Sequence, residues 1–507
     1  MAEDDQDGHA VVEEEYATLG IGEGPGPDES VSTKRLIALI AGPAFAVLLL
    51  FLPAPEGMKP EAWRLVALAV WMIVWWLGEA VPIPATALLP IPMMPLLGIA
   101  KMKPVAANYG HTLIFLFLGG FLLAAAMQRW GLHKRIALRI VTFVGTSPGG
   151  IIVGFMAATA FLSMWISNTA TTIMMFAVGL SVIEFIAQKA PDRLMVRNFG
   201  VALMLGIAYS ASIGGVGTLI GTPPNALLAS FLQSNYNIQI DFFTWMKLGV
   251  PVVLVMLPIA WLLLTRVIFP VRDLNIGDAS GVIRDELASL GSMSKGEKAV
   301  AIVFACAAFG WIFRKQLASW TGLPINDTAI AMLAATVLFA WPISREKGYF
   351  ALDWEAARNV PWGVLLLFGG GLALAGGFKG TGLAEWIGSG VSGFDVSTWA
   401  LVFIVTVAIV YLTEITSNTA STATFLPILG AVAVGLGLDP RMLAIPVALG
   451  ASMAFMMPVA TPPNAIVFSY EDMHLGDMVR AGFWLNIVAI LVSFAAMYFL
   501  APIVFGL

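Results

Sequence analysis

Residues 165–172 read Trp-Ile-Ser-Asn-Thr-Ala-Thr-Thr and lie inside a long apolar stretch, 151–187. Ser, Thr and Asn offer the backbone competing hydrogen bonds, so this triplet interrupts the helix that the apolar residues favour. In hydrocarbon such a cluster is costly unless it lines a cavity or holds a ligand. Residues 415–422 read Ile-Thr-Ser-Asn-Thr-Ala-Ser-Thr, so Ser417 repeats Ser167 after 250 residues. The two copies predict a single site built from two repeats.

The composition predicts an integral membrane protein, and we expect it in the cell inner (plasma) membrane. Of the 507 residues, 59% are hydrophobic and 12% are charged, and the mean hydropathy is +0.86. A soluble domain is about 45–50% apolar and about 25% charged. One cysteine, Cys306, excludes a disulfide within the chain, and the four histidines show no metal-ligand spacing. The sequence contains no H-E-x-x-H, P-loop or G-x-S-x-G signature, so we expect no enzymatic activity.

The N-terminal region differs from the rest of the chain. Residues 1–33 contain ten acidic residues and no Lys or Arg, which predicts a disordered, acidic, cytoplasmic tail. Residues 34–60 contain the first transmembrane helix, which stands outside the repeat. Its basic flank, Lys34-Arg35, favours a cytoplasmic N-terminus.

The first repeat is predicted over 61–272. Basic residues flank the stretch 148–188 on both sides, so both of its ends lie on the cytoplasmic side. The chain then enters the membrane, turns at the polar triplet and leaves again as a re-entrant hairpin, although two complete spans remain an alternative. The helix over 199–234 is broken at Gly221-Thr222-Pro223-Pro224-Asn225, because proline has no N–H and disrupts the preceding turn.

A cytoplasmic linker over 273–296 leads to the second repeat, 297–507. This repeat contains a second hairpin, 397–437, and a second broken helix, 442–469, interrupted at Ala460-Thr-Pro-Pro-Asn464. The predicted fold is an all-α polytopic membrane protein with about eleven transmembrane helices, one of them over 84–100, plus two re-entrant hairpins. Each repeat has about five spans, and because this number is odd the first repeat ends on the opposite side of the membrane from where it began. The second repeat therefore starts from the opposite side, which gives an inverted repeat.

The repeated motifs predict a binding site for an anion together with cations. Half-helix N-termini carry free N–H groups and suit an anion. Backbone carbonyls with Ser, Thr and Asn oxygens suit a hard monovalent cation such as sodium. Neither triplet contains Lys or Arg, so bound cations would have to help neutralise the anion, and this couples the two. The alternative is that the polar runs only join helices and the prolines only kink them.

Glu414 precedes Ser417 by three residues, and Met164 occupies the corresponding place in the first half. An ionisable residue at membrane depth is a candidate for function, but a structural pair that holds the second hairpin is equally compatible with the sequence.

At these residues the chain resembles the divalent-anion/sodium symporter family, the INDY-type dicarboxylate transporters. The similarity rests on the paired Ser-Asn-Thr motifs and the paired T-P-P-N breaks, and it extends from about Leu36 to the C-terminus. It implies a homodimer in the lipid bilayer, with a scaffold domain and a mobile transport domain that moves as an elevator. It also implies sodium-driven import of succinate, fumarate or malate, and no nucleic-acid partner.

The resemblance also implies which residues bind each solute. The first sodium site would use Ser163, Ser167, Asn168 and the Gly221 carbonyl. The second would use Thr413, Thr416, Asn418 and the Ala460 carbonyl. The substrate carboxylates would meet residues of both tips and both breaks, namely Ser167, Asn168, Thr169, Thr222, Pro223, Ser417, Asn418, Thr419, Thr461 and Pro462.

Other functions remain open at this point. Related proteins exchange dicarboxylates without sodium or carry sulfate or citrate. A membrane-embedded enzyme would need a nucleophile with a base, or a metal centre, and neither motif supplies an obvious His or Asp partner. A channel is disfavoured, because broken helices in an inverted repeat favour alternating access.

Overall fold

The structure is a computed structural model, and it describes residues 33–144, 147–189, 192–271, 274, 279–344, 346, 348–391 and 397–507. The predicted acidic tail, apart from its last residue, lies outside the described residues. So does part of the predicted linker, within which residues 279–289 form a helix. Most of the described residues are helical.

The helices of the first half follow one another with short connections. They are α1 (Thr33–Phe51), α2 (Pro60–Gly78), α3 (Ile83–Thr86), α4 (Pro90–Leu96), α5 (Met102–Ala107), α6 (Thr112–Arg129), α7 (Leu132–Val144), α8 (Pro148–Ser163), α9 (Asn168–Lys189), α10 (Arg193–Gly215), α11 (Pro223–Tyr236), α12 (Phe242–Leu262) and α13 (Ala279–Ser289). A 3₁₀ turn, Asn108–Gly110, precedes α6, and α12 continues as a π-helix over Leu263–Ile268.

The second half adds helices and one small antiparallel strand pair, β1 (Pro342–Ser344) with β2 (Tyr349–Phe350). The helices are α14 (Lys295–Ile312), α15 (Arg314–Thr321), α16 (Asp327–Ala340), α17 (Trp354–Arg358), α18 (Trp362–Thr381), α19 (Leu383–Val391), α20 (Thr398–Leu412), α21 (Asn418–Gly435), α22 (Arg441–Ala451), α23 (Pro462–Phe468), α24 (Leu475–Ala495) and α25 (Ala501–Phe505). A 3₁₀ turn, Pro458–Ala460, precedes α23, and a π-helix, Ala496–Leu500, joins α24 to α25.

This architecture confirms the predicted all-α polytopic membrane fold. Within the described residues, nine helical segments are long and apolar enough to cross a membrane, or ten if α14 and α15, which meet at 82°, form one broken span. Two of the nine, α9 and α21, are arms of the predicted hairpins, so seven of the predicted eleven spans are found as single long helices. Of the other four, α14 is bent against α15, α16 and α22 have only 14 and 11 residues, and the fourth is the stretch 84–100.

The single span predicted over 84–100 is wrong. The structure divides this stretch into α3 and α4, of four and seven residues. Pro90, Pro92 and Pro95 have no N–H to donate, and each one prevents the hydrogen bond that would continue a helix through it. Hydropathy alone does not reveal such an interruption.

The two Ser-Asn-Thr triplets and the two T-P-P-N motifs lie where helices stop and start again. The chain leaves α8 at Ser163 and begins α9 at Asn168, and it leaves α20 at Leu412 and begins α21 at Asn418. Each short half-helix, α11 and α23, begins at the first proline of its motif. Proline suits the first helical position, since its fixed φ matches the helix and the N–H it lacks would be unpaired there.

The two halves pack crosswise. The half-helix α23 of the second half contacts α9, the outgoing arm of the first hairpin. In the same way, the half-helix α11 of the first half contacts α21, the outgoing arm of the second hairpin. Each break is therefore held against the hairpin of the opposite half, and neither motif-bearing region is built from one half alone.

Candidate functional site

The first tip is organised by the hydroxyl of Ser163, the last residue of α8. Ser163 is fully buried, and its Oγ donates to the carbonyl of Ala211 in α10 at 2.7 Å and lies 2.5 Å from the side-chain amide of Asn168. Thr172 Oγ1 donates to the Asn168 carbonyl at 2.8 Å and fixes the first turn of α9. The tip is thus tied to the helix that leads to the first break.

The side-chain amide of Asn168 brings the break itself into this cluster. The atom placed as Oδ1 lies 3.3 Å from the Gly221 carbonyl oxygen and 3.2 Å from that of Ala211, besides its contact with Ser163. This atom is the amide nitrogen, because only a donor at this position is satisfied by the three oxygens around it. The predicted residues Ser163, Asn168 and Gly221 are therefore in one place, and their chemistry suits a small hard cation.

Two glycines allow this close approach. A Cβ on Gly221 would lie 2.5 Å from the Gly215 carbonyl oxygen and 3.0 Å from that of Ser163. A Cβ on Gly215 would lie 2.8 Å from Asn168 Oδ1. Any side chain at either position would separate the tip from the break, so the absence of a Cβ is what lets the oxygens converge.

The second tip repeats the pattern. Thr413 Oγ1 donates to Asn418 Oδ1 at 2.7 Å and lies 3.2 Å from the carbonyl oxygen of Ala451, at the end of α22. Thr422 Oγ1 donates to the Asn418 carbonyl at 2.7 Å, as Thr172 does to that of Asn168. A hydroxyl, an Asn side-chain amide and a helix carbonyl thus meet once in each half of the chain.

The other two predicted cation ligands of the second tip, Thr416 and Ala460, do not take part in this cluster of three groups. Thr416 is 8% exposed, and its Oγ1 donates to the Leu412 carbonyl at 2.8 Å and lies 2.6 Å from Ser421 Oγ. Its hydroxyl is therefore already engaged within the tip. Ala460 ends the 3₁₀ turn before α23 and is followed by Thr461, the N-cap of that helix.

Two asparagines that the sequence did not single out brace the breaks. Asn225 Nδ2 donates to the carbonyls of Gly215 and Thr218 at 3.1 and 2.8 Å. Asn464 Nδ2 donates to the Met457 carbonyl at 3.0 Å. Both are fully buried, and each is the last residue of its T-P-P-N motif. Their repetition was the available signal, but the sequence does not tell a brace from a ligand.

The residues predicted to meet the substrate differ in exposure. Ser167 is exposed, whereas most other residues of the two triplets are half-buried, namely Asn168, Thr169, Ser417, Asn418 and Thr419. At the breaks Thr222 and Thr461 are buried, Pro223 is half-buried and Pro462 is exposed.

The two break threonines are also used differently. Thr461 Oγ1 accepts a hydrogen bond from Asn464 N at 3.3 Å, whereas the hydroxyl of Thr222 makes no capping bond to α11. The N-termini of α9 and α21, which carry the half-buried amides and hydroxyls, suit an anion because their first N–H groups have no partner within the helix.

Comparison with known proteins agrees with this arrangement. The profile of the family described as "Sodium:sulfate symporter transmembrane region" matches residues 33–506. The sodium-dependent dicarboxylate transporter SdcS of Staphylococcus saprophyticus is 42% identical over 489 residues, which are 95% of this chain and 94% of that protein. SdcS of Staphylococcus aureus strain MRSA252 is 40% identical over 484 residues, which are 94% and 93% of the two chains.

A solved structure shares the fold. The Alcanivorax borkumensis YdaH transporter matches with a TM-score of 0.58 and 14% sequence identity, over 88% of this chain and 99% of that one. At this identity the likeness concerns the fold alone. The full-length sequence matches are what assign this multi-pass membrane protein, and by them the chain belongs to the sodium:sulfate symporter family, the divalent-anion/sodium symporters.

Proposed function

We propose that this protein imports C4-dicarboxylates, such as succinate, fumarate and malate, together with sodium ions. The two SdcS relatives are named for sodium-dependent dicarboxylate transport, and the alignments extend over nearly the whole of both chains. The chain thus matches these transporters over both motif-bearing halves rather than in one shared segment.

The observation that carries the proposal is the repeated oxygen cluster. In each half a buried hydroxyl, an Asn side-chain amide and a helix carbonyl meet within hydrogen-bonding distance, at Ser163, Asn168 and Ala211 and again at Thr413, Asn418 and Ala451. These groups are uncharged, and carbonyls beside a helix break coordinate sodium in other transporters.

On this basis each half holds one cation. The first sodium ion is bound by Ser163, Ser167, Asn168 and the carbonyl of Gly221. The second is bound by Thr413, Thr416, Asn418 and the carbonyl of Ala460. The first set is supported by the 3.3 Å separation between the Asn168 amide and the Gly221 oxygen.

The substrate binds between the same tips and breaks. Its carboxylates meet the N–H groups and dipoles at the starts of α9 and α21, with side chains and backbone of the two triplets and of the two breaks. The residues involved are Ser167, Asn168, Thr169, Thr222, Pro223, Ser417, Asn418, Thr419, Thr461 and Pro462. Since neither triplet contains Lys or Arg, the bound sodium ions supply the positive charge that the dianion needs.

Transport follows an elevator mechanism in a homodimer, with the N-terminus in the cytoplasm and the protein in the inner membrane. The crosswise packing of α9 on α23 and of α11 on α21 supports a unit in which hairpins and breaks move together. The first tip meets α14 through aromatic rings, since the ring centroid of Trp165 lies 5.0 Å from that of Phe304 and 6.4 Å from that of Trp311. A contact made of rings can slide without breaking hydrogen bonds.

Uptake into proteoliposomes tests the proposal. Radiolabelled succinate is presented with an inward sodium gradient, with an equal potassium gradient, and with sodium equal on both sides. We expect succinate to accumulate only with the sodium gradient. Uptake that does not depend on sodium would rule out sodium-coupled transport. Counterflow against preloaded succinate, sulfate or citrate then separates import from exchange and identifies the preferred anion.

A further inference from the structure

The two breaks differ in how far the preceding helix extends. The hydroxyls of Ser163 and Thr413 contact the carbonyls of Ala211 and Ala451, which marks these two carbonyls as equivalent. Beyond Ala211, α10 continues for four more residues, to Gly215, whereas α22 stops at Ala451 itself. The second half therefore has a longer non-helical segment before its half-helix.

The side chain of Glu414 accounts for this difference. It is 4% exposed, and its carboxylate accepts hydrogen bonds from three successive backbone N–H groups of the second break, Phe455 at 2.7 Å and Met456 and Met457 at 3.0 Å. A fourth donor, Asn486 Nδ2 of α24, lies 2.7 Å away. Three consecutive N–H groups directed at one carboxylate form a backbone nest.

The first half has no carboxylate at this point, because Met164 stands where Glu414 stands in the second. There the N–H groups of Val216 and Gly217 donate to the carbonyls of Ile213 and Gly214, at 3.2 and 2.9 Å, and extend the helix as a final turn. In the second half the corresponding N–H groups donate to the Glu414 carboxylate instead of to helix carbonyls, so α22 lacks this final turn.

By binding these backbone N–H groups, Glu414 also fixes the direction of the carbonyl in each of the same peptide units. In a trans peptide the N–H and the C=O point in opposite directions. Because Phe455 N is bound to Glu414, the Ala454 carbonyl points away from it, and this carbonyl accepts from Asn464 Nδ2 at 3.3 Å. The peptide carbonyl of Met457 accepts from Asn464 Nδ2 and from Ala460 N at 3.0 and 3.2 Å. Glu414 is thus joined through one residue, Met457, to the turn that ends at Ala460.

We propose that Glu414 is the positioning residue of the second cation site, and that its negative charge makes this site bind sodium more tightly than the first. The inference rests on the proposed function. Glu414 directly follows Thr413, whose hydroxyl belongs to the site, and it holds the segment that leads to the Ala460 carbonyl. Its four partners among the described residues are neutral donors, so its charge remains available to attract a cation nearby.

The variant Glu414→Gln removes the negative charge of the side chain while keeping nearly the same size and shape. The sodium concentration for half-maximal succinate uptake is expected to rise about tenfold, because the cation loses the attraction of a nearby negative charge. The KM for succinate at saturating sodium should change little. The rise in melting temperature that sodium gives to the purified protein should shrink in parallel, and this readout needs no transport.

Asn486→Leu is the matched control, because it removes one donor from the same cluster and keeps the charge. It is expected to lower the melting temperature without moving the sodium dependence. If Glu414→Gln behaves in the same way, the residue is only structural and the inference is overturned. If Glu414→Gln does not fold, Glu414→Asp is measured instead, because its shorter side chain reaches fewer of the N–H groups. A higher sodium concentration for half-maximal uptake would support the inference, and an unchanged one would overturn it.

The wild-type protein separates this inference from the proposed function. Succinate uptake by wild type that does not depend on sodium means that the proposed function has failed. Sodium-dependent uptake by wild type with an identical sodium dependence in the Glu414 variants means that only the role of Glu414 has failed.

Discussion

Thr413 Oγ1 donates to Asn418 Oδ1 at 2.7 Å, and in the other half of the chain Ser163 Oγ lies 2.5 Å from the side-chain amide of Asn168. The two pairs are the same contact made twice, five residues apart in each half. A hydroxyl and an Asn side-chain amide held this way are ready to surround a cation without moving far.

Replacing either asparagine by alanine should remove uptake. In Asn168→Ala and in Asn418→Ala the cation loses an oxygen ligand, and a bond to a charged group contributes about 1.5–3 kcal/mol, so sodium-dependent succinate uptake should fall at least about tenfold. Asn235→Ala is the control, since Asn235 Nδ2 only donates to the Phe231 carbonyl within α11. Full uptake by both tip variants, with folded protein in each case, would rule out the site.

Gly221→Ala should impair uptake although it adds only one methyl group. The new Cβ would lie 2.5 Å from the Gly215 oxygen, so the break must move away from the tip, and overpacking of this kind costs about 1–3 kcal/mol. The matched control is Gly380→Ala in α18, where an added Cβ meets nothing within 4 Å. Uptake is measured at saturating sodium and as a function of sodium concentration. Equal behaviour of the two variants would show that the close approach has no role.

Arg135 of α7 and Glu297 of α14 form a buried ion pair whose disruption should destabilise the protein. Arg135 Nε lies 2.5 Å from Glu297 Oε1, and the two side chains are 5% and 6% exposed. Glu297→Leu leaves the buried guanidinium with only the carbonyls of Leu290 and Gly291 and also removes the acceptor of Ser294 N, and breaking a buried ion pair costs about 3–5 kcal/mol. The thermal unfolding midpoint in detergent should fall accordingly.

The double variant Arg135→Met, Glu297→Leu is the control for that experiment. It removes both charges, so it should recover much of the stability that Glu297→Leu alone loses. A double variant that unfolds no later than the single one would mean that the pair contributes through packing rather than charge.

Asp439, in the loop before α22, should make stability depend on pH. Partial burial raises the pKa of its carboxyl, but the hydrogen bonds and charge of Arg441 outweigh this and leave the pKa below its usual value of 3.8. A carboxyl with a lowered pKa stabilises the folded state above its unfolded pKa, and this contribution disappears as the pH falls through the folded value. Asp439→Asn should therefore lower the melting temperature at pH 7 and have a smaller effect near pH 3. A difference that does not change with pH would contradict this assignment.

Much of the site could be predicted because its signals are local. Ser167-Asn168-Thr169 and its repeat compete with helix formation whatever their surroundings, and the T-P-P-N motifs break helices through covalent geometry. The structure indeed begins α9 at Asn168 and α11 at Pro223. Repetition of both motifs in the same order then indicated a shared site.

Other parts of the site carry no sequence signal. The carbonyls of Ala211 and Ala451 are backbone groups that every residue possesses, so only the fold reveals that they face Ser163 and Thr413. The partners of Glu414 lie 41 to 72 residues away in the sequence, which left its role undecided until α22 and α24 were placed. The division of 84–100 into short helices was missed because its apolar residues outweighed its prolines in the hydropathy pattern.

The crosswise packing of the two halves has a consequence for biosynthesis. The arm α9 is complete at Lys189, but the half-helix that covers it begins only at Pro462, about 270 residues later. At a ribosomal rate of about 5–20 residues per second, the nascent first half waits roughly 15–50 s for its partner. During that interval α9 lacks the half-helix that later packs against it, and a translation pause in the second half would prolong the exposure of this helix face to membrane proteases and chaperones.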